Sequence, residues 1–338
     1  MSAPAITAIV PVWNGRDLLS QLLETLEKQT HSEVEVLIVD NGSEDGAPEL
    51  ARKRGARVVS MGYNAGFSVA VNRGIHESRT PWIAVLNSDV QLAPDYFEKL
   101  LGAAEASCVW FATGKILAAG SSGRMDGAFD LLCRGGCAWR VGNGMPDGPP
   151  FSARREVWSV PWTAALFRAE LFQRAGVLEE TFESYLEDVD FGVRCAALRL
   201  NGLYIPEAVA WHRGSAALGR WHPDTVRHIA RNQVLLLARY YPRQLLRQYF
   251  WPIWVCQVLW GAVALRHGAG WAWLRGKYEG LSAFGALRAR GEQIDPDTLV
   301  GWLSANERLI GEFQRACGFD LYWRIYFSLV GQTDTCPG

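Results

Sequence analysis

Residues 6–40, ITAIVPVWNGRDLLSQLLETLEKQTHSEVEVLIVD, begin with a Val/Ile-rich run, pass through a leucine-rich one and end on a second Val/Ile-rich run. In the middle, Leu18, Leu19, Leu22, Leu23 and Leu26 recur at helical intervals and share one stripe of a helix. The outer runs are mostly apolar on both faces, as strands of a buried parallel sheet are. Strand, helix and strand in this order predict a βαβ unit.

The pattern continues beyond residue 40. ARVVS (56–60) and WIAVLN (82–87) read as two more buried strands. SEDGAPELARKRG (43–55) reads as a helix with Ser43 as its N-cap and Gly55 as its stop. The expected fold class is α/β, a doubly wound, mostly parallel sheet flanked by helices. Ligands of such sheets bind beyond the carboxyl ends of the strands, which makes PVWNG (11–15), VDNGSEDG (39–46) and LNSDV (86–90) the candidate site. After about residue 114 the periodicity weakens into a glycine-rich stretch that predicts irregular structure or hairpins over the site. Order resumes with VPWTAALF (160–167) as a strand and a helix after Asp188, and from about 222 onward the pattern is helical. The division expected is 1–220 for the α/β domain and 221–338 for a C-terminal helical region.

The chain has 338 residues, 49% of them hydrophobic and 20% charged, with a net charge of -1, which fits a folded protein of one large domain or two smaller ones. Seven cysteines without a zinc-like CxxC pair, and an N-terminus without a basic region and long apolar run, predict a cytoplasmic, thiol-reduced protein. Cys133 and Cys137, in CRGGC, read as ordinary thiols beside a glycine turn. Charge is unevenly distributed: residues 194–290 carry fourteen Arg or Lys against Glu207, Asp224 and Glu279, a surplus of about +11, together with seven tryptophans. Nucleic acid or an anionic membrane surface each fits such a stripe. Tyr249–Leu265 approaches the length of a short membrane span, but Pro252, Gln257 and Gly261 interrupt it, so it reads as a helix lying on a membrane or packed within a helical subdomain.

GxGxxG after the first strand, GxxxxGK[ST] and GxSxG are absent, which lowers hydride transfer, ATP chemistry and serine hydrolysis in rank. The strand ends instead carry acidic and aromatic groups. Trp13 suits stacking on a base, and Asp40 suits accepting hydrogen bonds from a base imide or ribose hydroxyls. Asn87 and Asp89, two apart at a strand end, suit ribose and a divalent metal beside a diphosphate. Further along, YLEDVDFGVR (185–194) places Glu187, Asp188 and Asp190 ahead of a helical run. Acidic residues there complement the helix dipole, and that explanation stands beside a catalytic one.

IVPVWNG, VLIVDNGSEDG, GYNAGFSVAVNRGI, VLNSDV, YLEDVDFGVRCAALRLNG and AVAWHRGS resemble, in order and spacing, glycosyltransferase family 2, most of all its rhamnosyltransferase-type branch of bacterial surface polysaccharide synthesis. The resemblance covers about residues 5–245. It implies a GT-A fold, a nucleotide-diphosphate sugar donor, Mg²⁺ or Mn²⁺, and inversion at the anomeric carbon. It places Pro11, Trp13, Asp40 and Asn41 around the nucleoside, with Trp13 where tyrosine is common, and Asn64, Gly66, Phe67 and Asn72 beside the nucleotide and donor. Asn87 stands where many members have Asp in the metal motif, leaving Asp89 as the main carboxylate ligand, and His212 falls where some relatives supply an imidazole. Asp188 matches the general base, Glu187 becomes an acceptor-binding or tuning neighbour, and Asp190 a helix-supporting partner of Arg194.

The resulting expectation is an inverting, metal-dependent transferase moving L-rhamnose from dTDP-rhamnose to a hydroxyl of a glycan or lipid-linked glycan. Another hexose from a UDP-sugar, or a non-catalytic nucleotide-sugar-binding scaffold, are the alternatives. The basic, Trp-rich half would dock on an anionic membrane surface at the inner face of the cytoplasmic membrane. No helix-turn-helix, zinc finger or RNP-like pattern supports nucleic acid as a partner.

Overall fold

The structure, a computed structural model, describes residues 4–121, 123–214, 221–291 and 294–331. The first elements alternate as expected: β1 (Ile6–Val12), α1 (Arg16–Leu26), β2 (Val34–Asp40), α2 (Ala47–Lys53), β3 (Arg57–Ser60), α3 (Phe67–Glu77) and β4 (Trp82–Leu86). They are followed by β5 (Val90–Leu92), α4 (Tyr96–Ala106), β6 (Phe111–Ala118), β7 (Met125–Gly127), β8 (Asp130–Leu132), β9 (Ala138–Arg140), β10 (Arg155–Val157), β11 (Ala164–Arg168), α5 (Leu171–Ala175), α6 (Glu187–Ala197) and β12 (Gly202–His212). The main sheet runs β10-β12-β6-β11-β4-β1-β2-β3, with β5 on β12 and β7 on β6. β1 is parallel to β2 and β4, β2 to β3, and β12 to β6, while β11 runs antiparallel between β4 and β6. The α1 stripe buries Leu19, Leu22, Leu23 and Leu26, each contributing roughly 1.5–3 kcal/mol of hydrophobic stabilisation.

Two local expectations change. Ser43 does not cap α2, which starts after Gly46 in a left-handed conformation. Its hydroxyl instead accepts from the Asn14 N–H at 2.8 Å, and its own N–H donates to Asp40 Oδ1 at 2.9 Å, tying the β1 and β2 ends together. The long helical run after residue 242 is two helices, α8 (Arg243–Gln248) and α9 (Phe250–Arg266), preceded by α7 (Pro223–Tyr240). Pro252 is the cause: it has no N–H to give, so it sits in the first turn of a new helix rather than inside a continuous one.

The chain forms two compact units, residues 1–129 with 142–217, and residues 130–141 with 218–338. A single cut at residue 220, which itself lies outside the described residues, therefore misses that 130–141 belongs with the helices. In the second unit the β8–β9 hairpin joins α7 to α9, α10 (Gly270–Arg290), α11 (Pro296–Cys317) and α12 (Leu321–Val330). Fully buried Glu307 of α11 accepts from Arg134 N–H at 2.9 Å, Arg134 Nε at 2.7 Å and Tyr326 OH at 2.6 Å, which pins the hairpin. Cys133 and Cys137 face each other across the hairpin turn as free thiols. Among the described residues no helix is long and apolar enough to cross a membrane.

Candidate active site

The parallel strands β2, β1 and β4 lie side by side, so their carboxyl ends share one edge of the sheet. Trp13, just past β1, is half exposed, as a stacking platform must be. Pro11 and Val12 pair with Val39 and Asp40, which sets Trp13 beside the end of β2. Asp40 is buried and braced, with Ser60 Oγ donating to Oδ2 at 3.2 Å in addition to the Ser43 contact. Asn41 donates its N–H to Val12 O at 2.7 Å and its Nδ2 to Gly66 O at 3.2 Å, while its buried Oδ1 has no hydrogen-bond partner. A buried acceptor left without a donor is costly, and an N–H or O–H of a bound nucleoside would satisfy it.

At the end of β4, Asn87 and Asp89 meet the end of β12 and the short strand β7. His212 Nδ1 lies 2.9 Å from Asp126 Oδ2, and Nε2 lies 3.1 Å from Asp89 Oδ1 and 3.4 Å from Asn87 Nδ2. Burial pushes the His212 imidazolium down, but the hydrogen bonds and charges of Asp126 and Asp89 outweigh it and raise its pKa to about 9. With Nδ1–H held by Asp126, Nε2 is the ring nitrogen turned to Asp89, the arrangement in which a carboxylate orients a metal-binding histidine. Asp89 and His212 thus fit a divalent cation in place of their shared proton. Two protein ligands suit an ion that completes its shell with diphosphate oxygens and water. Among the described residues no group of three or more His, Cys, Asp or Glu side chains is placed to hold a metal ion by itself.

The third part of the site is the loop before α6. Glu183, Tyr185 and Leu186 all have positive φ, at 62°, 69° and 66°, a concentration of strain worth roughly 1–3 kcal/mol per residue. The start of α3 holds this loop: Ser68 N–H donates to Glu183 O at 3.1 Å, and Gly66, with φ 88°, has Glu183 O 3.5 Å from where a Cβ would stand. Glu187 and Asp188, both buried, form the first turn of α6, with Val189 N–H donating to Asp188 Oδ1 at 2.8 Å. Asp190 is fully buried and pairs with Arg194 at 3.1 Å, so its part is structural, as expected of an i, i+4 pair, though inside the fold rather than on its surface.

Two of the donor-side residues have partners within the chain. Asn72 is buried and gives both amide hydrogens away, to Leu178 O at 2.9 Å and Glu180 Oε1 at 3.0 Å, while accepting from Leu178 N–H at 2.9 Å. It anchors residues 178–180 and has no N–H left for a donor. Asn64 accepts from Gly66 N–H at 3.1 Å, which shapes the turn before α3, where Phe67 is the first residue. The residue that sequence reading missed is Asp126. It lies in the glycine-rich stretch where periodicity fails, and its only signal was an acidic residue beside a glycine, in RMDG (124–127).

A sequence profile described as "Glycosyl transferase family 2" matches residues 7–176. A Mycobacterium tuberculosis protein named N-acetylglucosaminyl-diphospho-decaprenol L-rhamnosyltransferase is 30% identical over 236 residues, 63% of this chain and 76% of that one. The chain belongs to glycosyl transferase family 2. This glycosyltransferase is also similar to the Rhizobium meliloti succinoglycan biosynthesis protein ExoO, 33% identical over 107 residues, 31% of each chain. Its fold matches GalNAc-T7, solved with UDP, GalNAc and Mn²⁺, at a TM-score of 0.60 and 12% identity over 77% of this chain and 51% of that one. It also matches the Pyrobaculum calidifontis mannosyltransferase PcManGT, solved with GDP-Man and Mn²⁺, at 0.52 and 16% identity over 97% and 87%. The GT-A glycosyltransferase fold expected from the sequence is the one observed.

Proposed function

We propose that this glycosyltransferase moves L-rhamnose from dTDP-rhamnose, with inversion, to a hydroxyl of a lipid-linked glycan in cell-surface polysaccharide synthesis, at the inner face of the cytoplasmic membrane. The observation that carries the chemistry is the Asp89–His212–Asp126 row at the strand ends. The choice of rhamnose and of a lipid-linked acceptor is supported by the name of the M. tuberculosis relative. Trp13 stacks on the base, and Asn41 Oδ1 accepts from it or from the ribose. Asp89 and His212 hold Mg²⁺ or Mn²⁺, with Asp126 keeping the His212 ring in register. When bound, the ion neutralises charge on the leaving diphosphate. Asp188 takes the proton from the acceptor hydroxyl as its oxygen attacks the anomeric carbon from the face opposite the diphosphate. Glu187, the preceding residue, binds the acceptor.

Calorimetric titration with a panel of nucleotide-diphosphate sugars, in Mn²⁺ and in chelator, tests the reading. Metal-dependent binding of dTDP-rhamnose above the UDP- and GDP-sugars is expected. Tighter binding of a UDP-hexose would replace the donor, and no binding of any donor would sink the catalytic reading.

A further inference from the structure

We infer that the α9–α10 hairpin is a membrane-docking face that seats on anionic lipid; this deepens the lipid-linked-acceptor reading by naming the surface. The two helices run antiparallel, since Gln257 bonds Lys277 and Gly261 meets the Trp273 ring, pairs whose residue numbers share one sum. On α9, Trp251, Trp254, Val258 and Leu265 recur at helical spacing on the outer side. On α10, Trp271, Leu274, Tyr278 and Leu281 do the same, opposite the Ala272, Gly276 and Gly280 face that packs inward, where Gly276 and Gly280 lie against α7. All eight are between 42% and 80% exposed.

At 3.6 residues per turn, each stripe lies roughly 70–100° round, in the same rotational sense, from the line where the two helices touch. Because the helices are antiparallel, equal senses bring both stripes to one side of the hairpin. The result is one contiguous apolar face, on the order of several hundred Å², larger than a soluble monomer usually leaves uncovered. Half of it is Trp or Tyr, the residues that settle at a membrane interface.

Charge selects the occupant. From residue 225 to 278 there is no Asp or Glu against eight Arg or Lys, of which Lys277 is buried among its acceptors and Arg227 and Arg275 face Glu279. Of the two adjoining carboxylates, Glu279 is paired with Arg227 at 2.7 Å and Arg275 at 2.9 Å, and Asp224 lies 3.6 Å from Arg227. Exposed Arg247 precedes α9 and exposed Arg266 closes it. A second copy docked through a two-fold axis would set this basic face against itself, whereas an anionic bilayer takes both its apolar centre and its cations.

The test is flotation of the full chain with vesicles of phosphatidylcholine alone and of phosphatidylcholine mixed with phosphatidylglycerol. Binding to the mixed vesicles, weakened by salt, is expected, with an approximately tenfold or greater loss in a W271S/Y278S/L281S variant of unchanged circular dichroism. R247E/R266E, at two exposed positions, gives an independent reading and should also weaken binding. Equal binding to both vesicle types, no binding, or binding that neither variant changes overturns the inference. So does a solution dimer, seen by sedimentation equilibrium, that the first variant splits. Metal-dependent donor binding is measured alongside without vesicles: if it persists where vesicle binding fails, the docking face alone is lost, and if it is absent, the donor reading falls separately.

Discussion

Asp188 and Glu187 are adjacent buried carboxylates at a helix start, and the helix dipole by itself accounts for acidity there. What separates the two readings is a variant that keeps the shape and removes the base. Asp188→Asn should lower transfer by about 10²–10⁴-fold while donor affinity, read by calorimetry, stays nearly constant. Unchanged turnover would assign Asp188 to helix capping alone. Asp126→Asn should raise the Mn²⁺ dissociation constant by about 10–100-fold, because an amide neither fixes the His212 tautomer nor adds basicity to the ring. Mn²⁺ binding read by electron paramagnetic resonance, with nucleotide affinity in chelator unaltered, checks this separately from activity. The sequence singled out Asp40, Asp89, Asp188 and His212 as candidates through their motifs. Asp126 was not, because its role comes from a three-residue strand, β7, laid beside the end of β6.

The start of α3, on the proposed donor side, packs against the 183–186 loop, on the proposed acceptor side. Gly66 adopts φ 88° and ψ 168°, a conformation that an L side chain enters only with strain. Gly66→Ala should therefore lower unfolding free energy by about 1–3 kcal/mol, measured by urea denaturation, and should weaken donor binding by moving Glu183 and Ser68. An unaltered midpoint would mean that the turn relaxes without cost. Sequence reading singled out Gly66 but not its partner, since residues 66 and 183 meet only in the folded chain. Asn72 shows the same limit in reverse: its polarity suggested a ligand contact, and tertiary packing assigned it to residues 178–180.

For the molecule as a whole, two units with different packing logic share one chain. In the second, Lys277 is buried where α10 meets α7 and α9, donating to Ala230 O at 2.9 Å, to Gln233 Oε1 at 2.8 Å and to Gln257 Oε1. Burial lowers its pKa from 10.5 to about 8, against the opposing pull of Cys137 and Cys256. The folded chain then releases this proton near pH 8 and the unfolded chain near 10.5, so unfolding takes a proton up between those values. Stability relative to Lys277→Met should rise as pH climbs through that window, by at most about 3 kcal/mol, and urea denaturation at pH 7 and pH 10 checks the sign. A difference that falls with pH would mean that Lys277 is held charged by its three acceptors.

Local periodicity determined the α/β alternation from β1 to β4, because a two-residue or 3.6-residue repeat of apolar side chains is a property of neighbours in sequence. Motif order determined the family, because a nucleotide-binding strand end needs particular residue types within a few positions of each other. Only the tertiary structure decided that residues 130–141 join the helices, that Asp126 completes the His212 row, and that two separate stripes on α9 and α10 share one side. Each of these depends on which distant segments pack together, and the physical determinant is the whole set of buried contacts rather than any one stretch of chain.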